Sequence, residues 1–389
     1  MKNQLENGTL KLFPTGRIDS NNAESVAKEI FDAAENAEFT QLIVDADGLE
    51  YVSSAGLRIF LRLKKAYPSL KVTNVSSDVY EIFDMTGFTD IMTIEKAYRK
   101  VSIDGCEVIG VGANGTVYRV DSDTIVKVYN NPDSFDDIAR ERNLAKKAFV
   151  LGINTAISYD IVKVGGSFGT MFEMLNAESL AKCVAEGQQN KEHYIDLYVD
   201  LLKKIHSTVT SDDDIPPIKD VALRWLKTAT PVLDGQTAEK LTALVEAVPN
   251  SNNVLHGDYH LKNVMLQNGE AILIDMDTLC VGNPIFEFGS IFNAYVGFTA
   301  LNPENAGKFL GITAEDSRLV WNKTLEKYFG TTDKEKLARF EDKAKTVGYL
   351  RLLHRAIRRS NGSDEYVQAI EFYKSELKRL VAGMDSLAL

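Results

Sequence analysis

The stretch that most limits how this chain can fold runs from His256 to Asp277. Val264-Met265-Leu266 and Ala271-Ile272-Leu273-Ile274 are short apolar runs on either side of Gln267-Asn268-Gly269-Glu270. Two such runs around a turn read as a β-hairpin. A hairpin here puts Asn263 at the start of one strand and Asp275 at the end of the other, so the two side chains can lie side by side. Ahead of it stands His256-Gly257-Asp258-Tyr259-His260-Leu261-Lys262-Asn263, where an aspartate precedes an asparagine by five positions. Two readings of this stretch stand at this point: a polar loop beside a hairpin, and a loop whose Asp, Asn and second Asp are brought together for chemistry.

A second pattern lies upstream. Ile109-Gly110-Val111-Gly112-Ala113-Asn114-Gly115-Thr116-Val117 contains G-x-G-x-x-G-x-V. Glycines of this kind let a tight turn bring backbone N–H groups close to phosphates. The motif also suits a dinucleotide fold, which needs a helix directly after the glycines. Here residues 116–120 and 124–129 alternate like two strands instead. The second strand carries Lys127 in Ile-Val-Lys-Val, and the helical segment 135–151 carries Glu141 as its natural partner. The plainer alternatives are a solvent-facing edge lysine and an exposed helix glutamate.

The chain has 389 residues, enough for two or three domains. Its net charge of −11 argues against nucleic acid or an anionic membrane surface as main partner, while leaving room for a local basic pocket. Cys106, Cys183 and Cys280 are too far apart for a metal motif and fit a reducing compartment. No apolar run approaches a membrane span, and the N-terminus lacks a signal-peptide core. A cytoplasmic protein is expected.

The first hundred residues alternate short strands (10–15, 41–46, 70–75) with helices (to 37, to 66, and 78–85), which implies a small α/β layer fold. Residues 93–101 are expected to form a last helix. Gly16-Arg17-Ile18-Asp19, Tyr51-Val52-Ser53-Ser54-Ala55-Gly56-Leu57 and Val79-Tyr80-Glu81-Ile82-Phe83-Asp84-Met85-Thr86-Gly87-Phe88 resemble the STAS domain of bacterial anti-sigma-factor antagonists. The resemblance implies a regulatory protein partner of anti-sigma type. It also makes Ser54 a phosphoacceptor, with Ser53 where many members carry Asp. A phosphate at a helix N-terminus meets free N–H groups and adds roughly two negative charges to a docking surface. Ser53 and Ser54 as simple helix N-caps is the equal alternative.

Glycine loop, Lys127, Glu141, Asp258, Asn263 and Asp275 occur in the order used by protein kinases. The His-Gly-Asp-Tyr-His form narrows the resemblance. Residues 103 to about 370 resemble the aminoglycoside phosphotransferase and choline kinase group, without Asp-Phe-Gly or Ala-Pro-Glu. Asn283 and Glu287 stand where that group often has loop-bracing aspartates. The resemblance implies ATP and Mg²⁺ as cofactors and a small-molecule hydroxyl as acceptor. It gives Asp258 the role of base. Asn263 and Asp275 become metal ligands, and Gly110, Gly112, Gly115, Lys127 and Glu141 nucleotide-site residues. It also places an adenine edge against the backbone of Glu173 and Leu175. The expected organisation is a STAS-like domain at 1–100, a kinase-like nucleotide lobe at 103–175 and a helical lobe at 176–389. A kinase acting on a STAS serine and a nucleotide sensor without turnover are the competing functions.

Overall fold

The computed structural model describes every residue except Ala113, Pro132, Asp133, Ser134 and Gln188, so one residue of the glycine motif lies outside the described residues. The chain divides into two compact units, Met1–Val101 and Ser102–Leu389.

The first unit opens on β1 (Lys2–Glu6) and β2 (Thr9–Phe13), an antiparallel pair, followed by β3 (Gly16–Ile18) and α1 (Ala23–Glu35). Then come β4 (Gln41–Asp45), β5 (Leu49–Val52), α2 (Ser54–Ala66), β6 (Lys71–Val75), α3 (Ser77–Met85), α4 (Phe88–Ile91) and β7 (Thr93–Lys96). The main sheet runs β1-β2-β4-β6-β7 and is parallel from β2 onward. Period-two burial fixes the inward face: Leu10 and Leu12 of β2 and Leu42 and Val44 of β4 are buried. Ala23, Ala27, Ile30 and Ala34 give α1 one buried stripe at helical spacing. α2 lies so close to the strands that a Cβ on Gly56 would sit 2.9 Å from side-chain carbons of both Ile18 and Val52.

The expected helix at 93–101 is not formed. Residues 93–96 are β7, which pairs in parallel with β6, and the N–H of Ala97 donates to the carbonyl of Val75. The open edge of β6 offers these residues backbone partners, and half-buried Ile94 packs against the core. The sheet edge outweighs weak local helix preference. β1, at the opposite edge, and short α4 also go beyond the expected elements.

The second unit begins with an antiparallel sheet in the order β11-β12-β10-β9-β8. Its elements in chain order are β8 (Glu107–Val111), β9 (Gly115–Arg119), β10 (Thr124–Tyr129), α5 (Phe135–Val150), β11 (Ser158–Val164) and β12 (Ser167–Glu173). The remainder is mostly helical: β13 (Glu178–Ser179), α6 (Leu180–Glu186), α7 (Lys191–Ser207), α8 (Ile218–Ala229), α9 (Gly235–Glu246) and β14 (Val254–Leu255). The hairpin follows as β15 (Val264–Gln267) and β16 (Glu270–Leu273), then β17 (Cys280–Val281). Last come α10 (Ile285–Tyr295), α11 (Asn305–Leu310), α12 (Ala314–Phe329), α13 (Lys334–Arg359) and α14 (Asp364–Ala382). α10 is buried along its whole length and forms the axis on which α12 and α13 pack. Among the described residues, no helix is long and apolar enough to cross a membrane.

Candidate active site

Alternation along β10 puts Lys127 and Tyr129 on the same face of the sheet, toward α5. There Lys127 Nζ lies 2.7 Å from Glu141 Oε1, and the Tyr129 hydroxyl donates to Glu141 Oε2 at 2.8 Å. Glu141 is buried, so both of its oxygens meet a partner where an unpaired charge would be costly. The ammonium also reaches Asp275 Oδ1 at 2.8 Å, joining the sheet to the loop that follows the hairpin. Burial opposes the charge on Lys127, but Asp275 and Glu141 outweigh it and hold its pKa well above the usual lysine range.

The hairpin aims Asp275. Asn268 and Gly269 both have positive φ, as a tight two-residue turn requires, and the strands pair Val264 with Leu273. Asp275 itself sits at φ 63°, a left-handed conformation that turns the chain into a short 3₁₀ segment, Met276–Thr278. Carboxylate oxygens of Glu141, Asp275 and Asp277 all lie within 4.8 Å of one another. Burial and the charges of Asp275 and Glu141 push the Asp277 carboxyl up to about 7. Crowded carboxylates in one spot are the donor set that a hard divalent cation takes.

The catalytic-type loop is held mainly by its backbone. Glu287, buried on α10, accepts from the N–H of His256 at 2.6 Å and from the N–H of Gly257 at 3.0 Å. Burial works against ionisation of Glu287. The nearby imidazole of His206 (Nε2 at 3.8 Å), the charge of His256 and the Gly257 N–H outweigh it, so its pKa is lowered. Gly257 has φ +83°, and a Cβ there would lie 2.3 Å from the carbonyl oxygen of Thr278. The Thr278 hydroxyl donates to the His256 carbonyl at 2.8 Å. The backbones that carry Asp258 and Asp275 are therefore in direct contact. Arg351 of α13 donates to the Gly257 carbonyl at 2.9 Å and approaches Asp258 Oδ1 at 3.6 Å. Crowding around Asp258 opposes its charge, but His260 (Nε2 at 3.5 Å), Arg351 and His256 outweigh it and keep the carboxyl well below the usual range. The Asn263 amide donates to the Asp258 carbonyl at 3.0 Å, which leaves its side-chain oxygen free of that bond.

Of the three glycines, only Gly115 is demanded by packing: a Cβ would fall 2.4 Å from the Val128 carbonyl oxygen. Around Gly110 and Gly112 the nearest atoms are 3.7 Å away. The N–H of Glu173 donates to the Ile157 carbonyl at 3.0 Å and its side chain accepts from the Ile157 N–H, so an adenine edge would have its carbonyl or Leu175 to meet. Ser54 lies in the other unit. Ser53 caps α2 by accepting from the Gly56 N–H at 3.4 Å, while Ser54 is exposed at the first helical position.

Sequence reasoning did not single out Tyr129, Asp277 or Arg351. Tyr129 follows Lys127 at strand spacing, and Asp277 stands in Asp-Met-Asp, so both had a local signal. Arg351 had only its place in a basic helix face, 94 positions from the glycine it touches.

Residues 105–317 match the model of the phosphotransferase enzyme family, and residues 2–102 match that of the STAS domain. Over 83 residues the chain is 30% identical to the candidate anti-sigma factor antagonist BtrV of Bordetella bronchiseptica, covering 20% of this chain and 71% of that one. Among solved structures it is similar to the ADP-bound aminoglycoside phosphotransferase APH(2'')-Ib, with TM-score 0.48 and 14% identity over 77% of this chain and 98% of the other. It is also similar to a choline/ethanolamine kinase family protein from Mesorhizobium loti, with TM-score 0.46 and 14% identity over 71% and 87% of the two chains.

Proposed function

Since the chain belongs to the phosphotransferase enzyme family and begins with a STAS domain, we propose that it moves the γ-phosphate of MgATP to a hydroxyl of a small molecule in the cytoplasm, with the STAS domain as regulatory part. The observation that carries this is Lys127 held between Glu141 at 2.7 Å and Asp275 at 2.8 Å. That clamp fixes an ammonium where nucleotide phosphates need it and ties it to the hairpin that follows Asp258 and Asn263.

In this reading Asp258 accepts or orients the acceptor hydroxyl proton. Its lowered pKa keeps it ionised at neutral pH but makes it a weak base, which suits orienting the hydroxyl and taking its proton late in the transfer. The Asn263 side-chain oxygen, Asp275 and the crowded Asp277 would hold Mg²⁺, which supplies charge neutralisation on the transferred phosphoryl. The open space around Gly110 and Gly112, with no atom nearer than 3.7 Å to a Cβ there, would let the triphosphate approach the backbone closely. Most of the rate enhancement comes from placement and electrostatic stabilisation. Labelled ATP incubated with the full chain and a metabolite panel tests the proposal. Asp258→Asn should keep MgATP binding and lose transfer; full transfer by that variant removes Asp258 from its role.

A second reading has its own observation. Ser53 does the capping of α2, which leaves the exposed Ser54 hydroxyl available as a phosphoacceptor. In that case the STAS domain is itself a target, of this kinase or of a partner kinase, and its phosphorylation controls an anti-sigma-type partner.

A further inference from the structure

α13 carries Arg351, His354, Arg355, Arg358 and Arg359 within nine residues, in a chain whose net charge is −11. Arg351, Arg355 and Arg358 follow one another along one helix face. Arg351 reaches the loop around Asp258, as described. One turn further, Arg355 lines a cavity of about 300 Å³ together with Phe298, Asn305, Lys308 and Phe309. This cavity shares a wall with the candidate active site. Phe309 packs edge-on against His260 with ring centres 5.0 Å apart, and His260 stands 3.5 Å from Asp258.

The charges in that cavity are not balanced. Lys308 is paired with Glu304 at 3.2 Å, and the Asn305 amide donates to the Phe298 carbonyl. Arg355 lies over the Phe298 ring at 5.2 Å and, among the described residues, has no carboxylate within ion-pair distance. Burial and the charges of Arg359 and Arg351 pull its pKa down, so its surroundings disfavour the cation they contain. Asp258, whose charge reaches Arg355 and partly offsets this, already faces Arg351 and His260. A larger cavity of about 480 Å³, bordered by Ala185 and Asp316, has no such surplus, because Asp316 is paired with Lys191 at 2.5 Å.

We propose that the acceptor is a small hydroxylated anion whose carboxylate or phosphate is bound by Arg355 while its carbon skeleton lies against Phe298 and Phe309. This rests on the phosphotransferase reading above and names the acceptor class for the same site. The planar guanidinium forms paired hydrogen bonds to carboxylate and phosphate. A choline-like or aminoglycoside-like cation would meet Arg355 and Arg351 at close range instead. The volume is at the small end for ligand sites, which suits a compact metabolite. In transfer, the acceptor oxygen attacks the γ-phosphorus, the bond to the β,γ-bridging oxygen breaks, ADP leaves, and the hydroxyl proton goes to Asp258.

The test uses the full chain with MgATP and five probes: D-glycerate, glycerol 3-phosphate, glycerol, choline and kanamycin. ADP release is followed for turnover, and calorimetry in the presence of MgADP is followed for binding. The expected result is binding of an anionic probe in preference to glycerol, choline and kanamycin. The glycerate and glycerol 3-phosphate arms tell carboxylate from phosphate. Arg355→Gln should weaken that probe about ten- to hundredfold, the range for losing a hydrogen bond to a charged group, and Arg355→Lys should recover part of it. Preference for choline or kanamycin, an unchanged anion affinity in Arg355→Gln, or no binding of any anion overturns the proposal. Anion binding that depends on Arg355 but is never followed by ADP release keeps the anion subsite and overturns its assignment to the acceptor, and absence of MgADP binding in the wild-type chain points to failure of the nucleotide site alone.

Discussion

Glu287→Ala removes a carboxylate that accepts backbone N–H groups of His256 at 2.6 Å and Gly257 at 3.0 Å. Each hydrogen bond to a charged acceptor contributes about 1.5–3 kcal/mol, so the two give roughly 3–6 kcal/mol. Freeing the protein from a buried carboxylate offsets part of this, since desolvating an ion costs several kcal/mol. A net loss of about 3 kcal/mol is expected. At about 2.1 cal/mol/K per residue, a unit as long as Ser102–Leu389 loses roughly 1.7 °C per kcal/mol, which puts the fall in Tm at about 5 °C. Both tryptophans of the chain, Trp225 and Trp321, lie in the second unit, so urea unfolding followed by tryptophan fluorescence reports on that unit without the first. The pH dependence has a fixed sign. The folded pKa of Glu287 is lowered, so its contribution is complete above the unfolded glutamate value near ~4.3 and disappears as pH falls through the folded value. The gap between wild type and variant should be full at pH 7 and shrink in acid. A variant that unfolds at the wild-type urea midpoint at pH 7, or a gap that widens in acid, would refute the bracing argument.

Three further outcomes are expected. Asp275→Ala should abolish Mg²⁺-dependent nucleotide binding; unchanged MgATP affinity by calorimetry would take Asp275 out of the metal site. Gly257→Ala should cost about 2–5 kcal/mol, combining a left-handed backbone with a Cβ 2.3 Å from the Thr278 carbonyl oxygen, and urea unfolding would read it. On the second reading, with this kinase acting on the STAS domain, intact-mass spectrometry after incubation with MgATP should show a phosphate on wild type that is missing from Ser54→Ala and from Asp258→Asn; no phosphate on wild type, or one retained on Ser54→Ala, would refute that reading.

What could be read from the chain beforehand was the chemistry that local spacing encodes. The hairpin, the strand carrying Lys127 and the helix carrying Glu141 each show their period within a dozen residues, and their order along the chain does the rest. β7 could not be read, because Thr93–Lys96 is a strand only once β6 offers it an edge. The three-way meeting of Lys127, Glu141 and Asp275 was half legible: the lysine–glutamate pair follows from the order of motifs, but Asp275 as a second partner depends on how the hairpin is aimed. Arg351 and Arg355 stand in a basic stretch of the sequence, yet nothing in its neighbours says that Arg351 turns toward Gly257 and Arg355 toward a cavity. Such pairings are set by packing over tens of residues, where sequence periodicity carries no signal.

The contact between Gly257 and Thr278 has a consequence for how such a molecule can change. The separation of the backbones that carry Asp258 and Asp275 is dictated by two main chains pressed together, with Arg351 of α13 bound to the Gly257 carbonyl beside them. On the proposed reading, the chemical step and the choice of acceptor reside in largely separable parts. If Arg355 binds the acceptor as proposed, positions 298, 305, 308 and 355 can change with the molecule recognised, whereas Phe309, packed on His260 beside Asp258, is tied to the reacting groups. A search for altered acceptor preference belongs on those four positions, and replacements at Gly257 would mostly return proteins whose loop no longer folds.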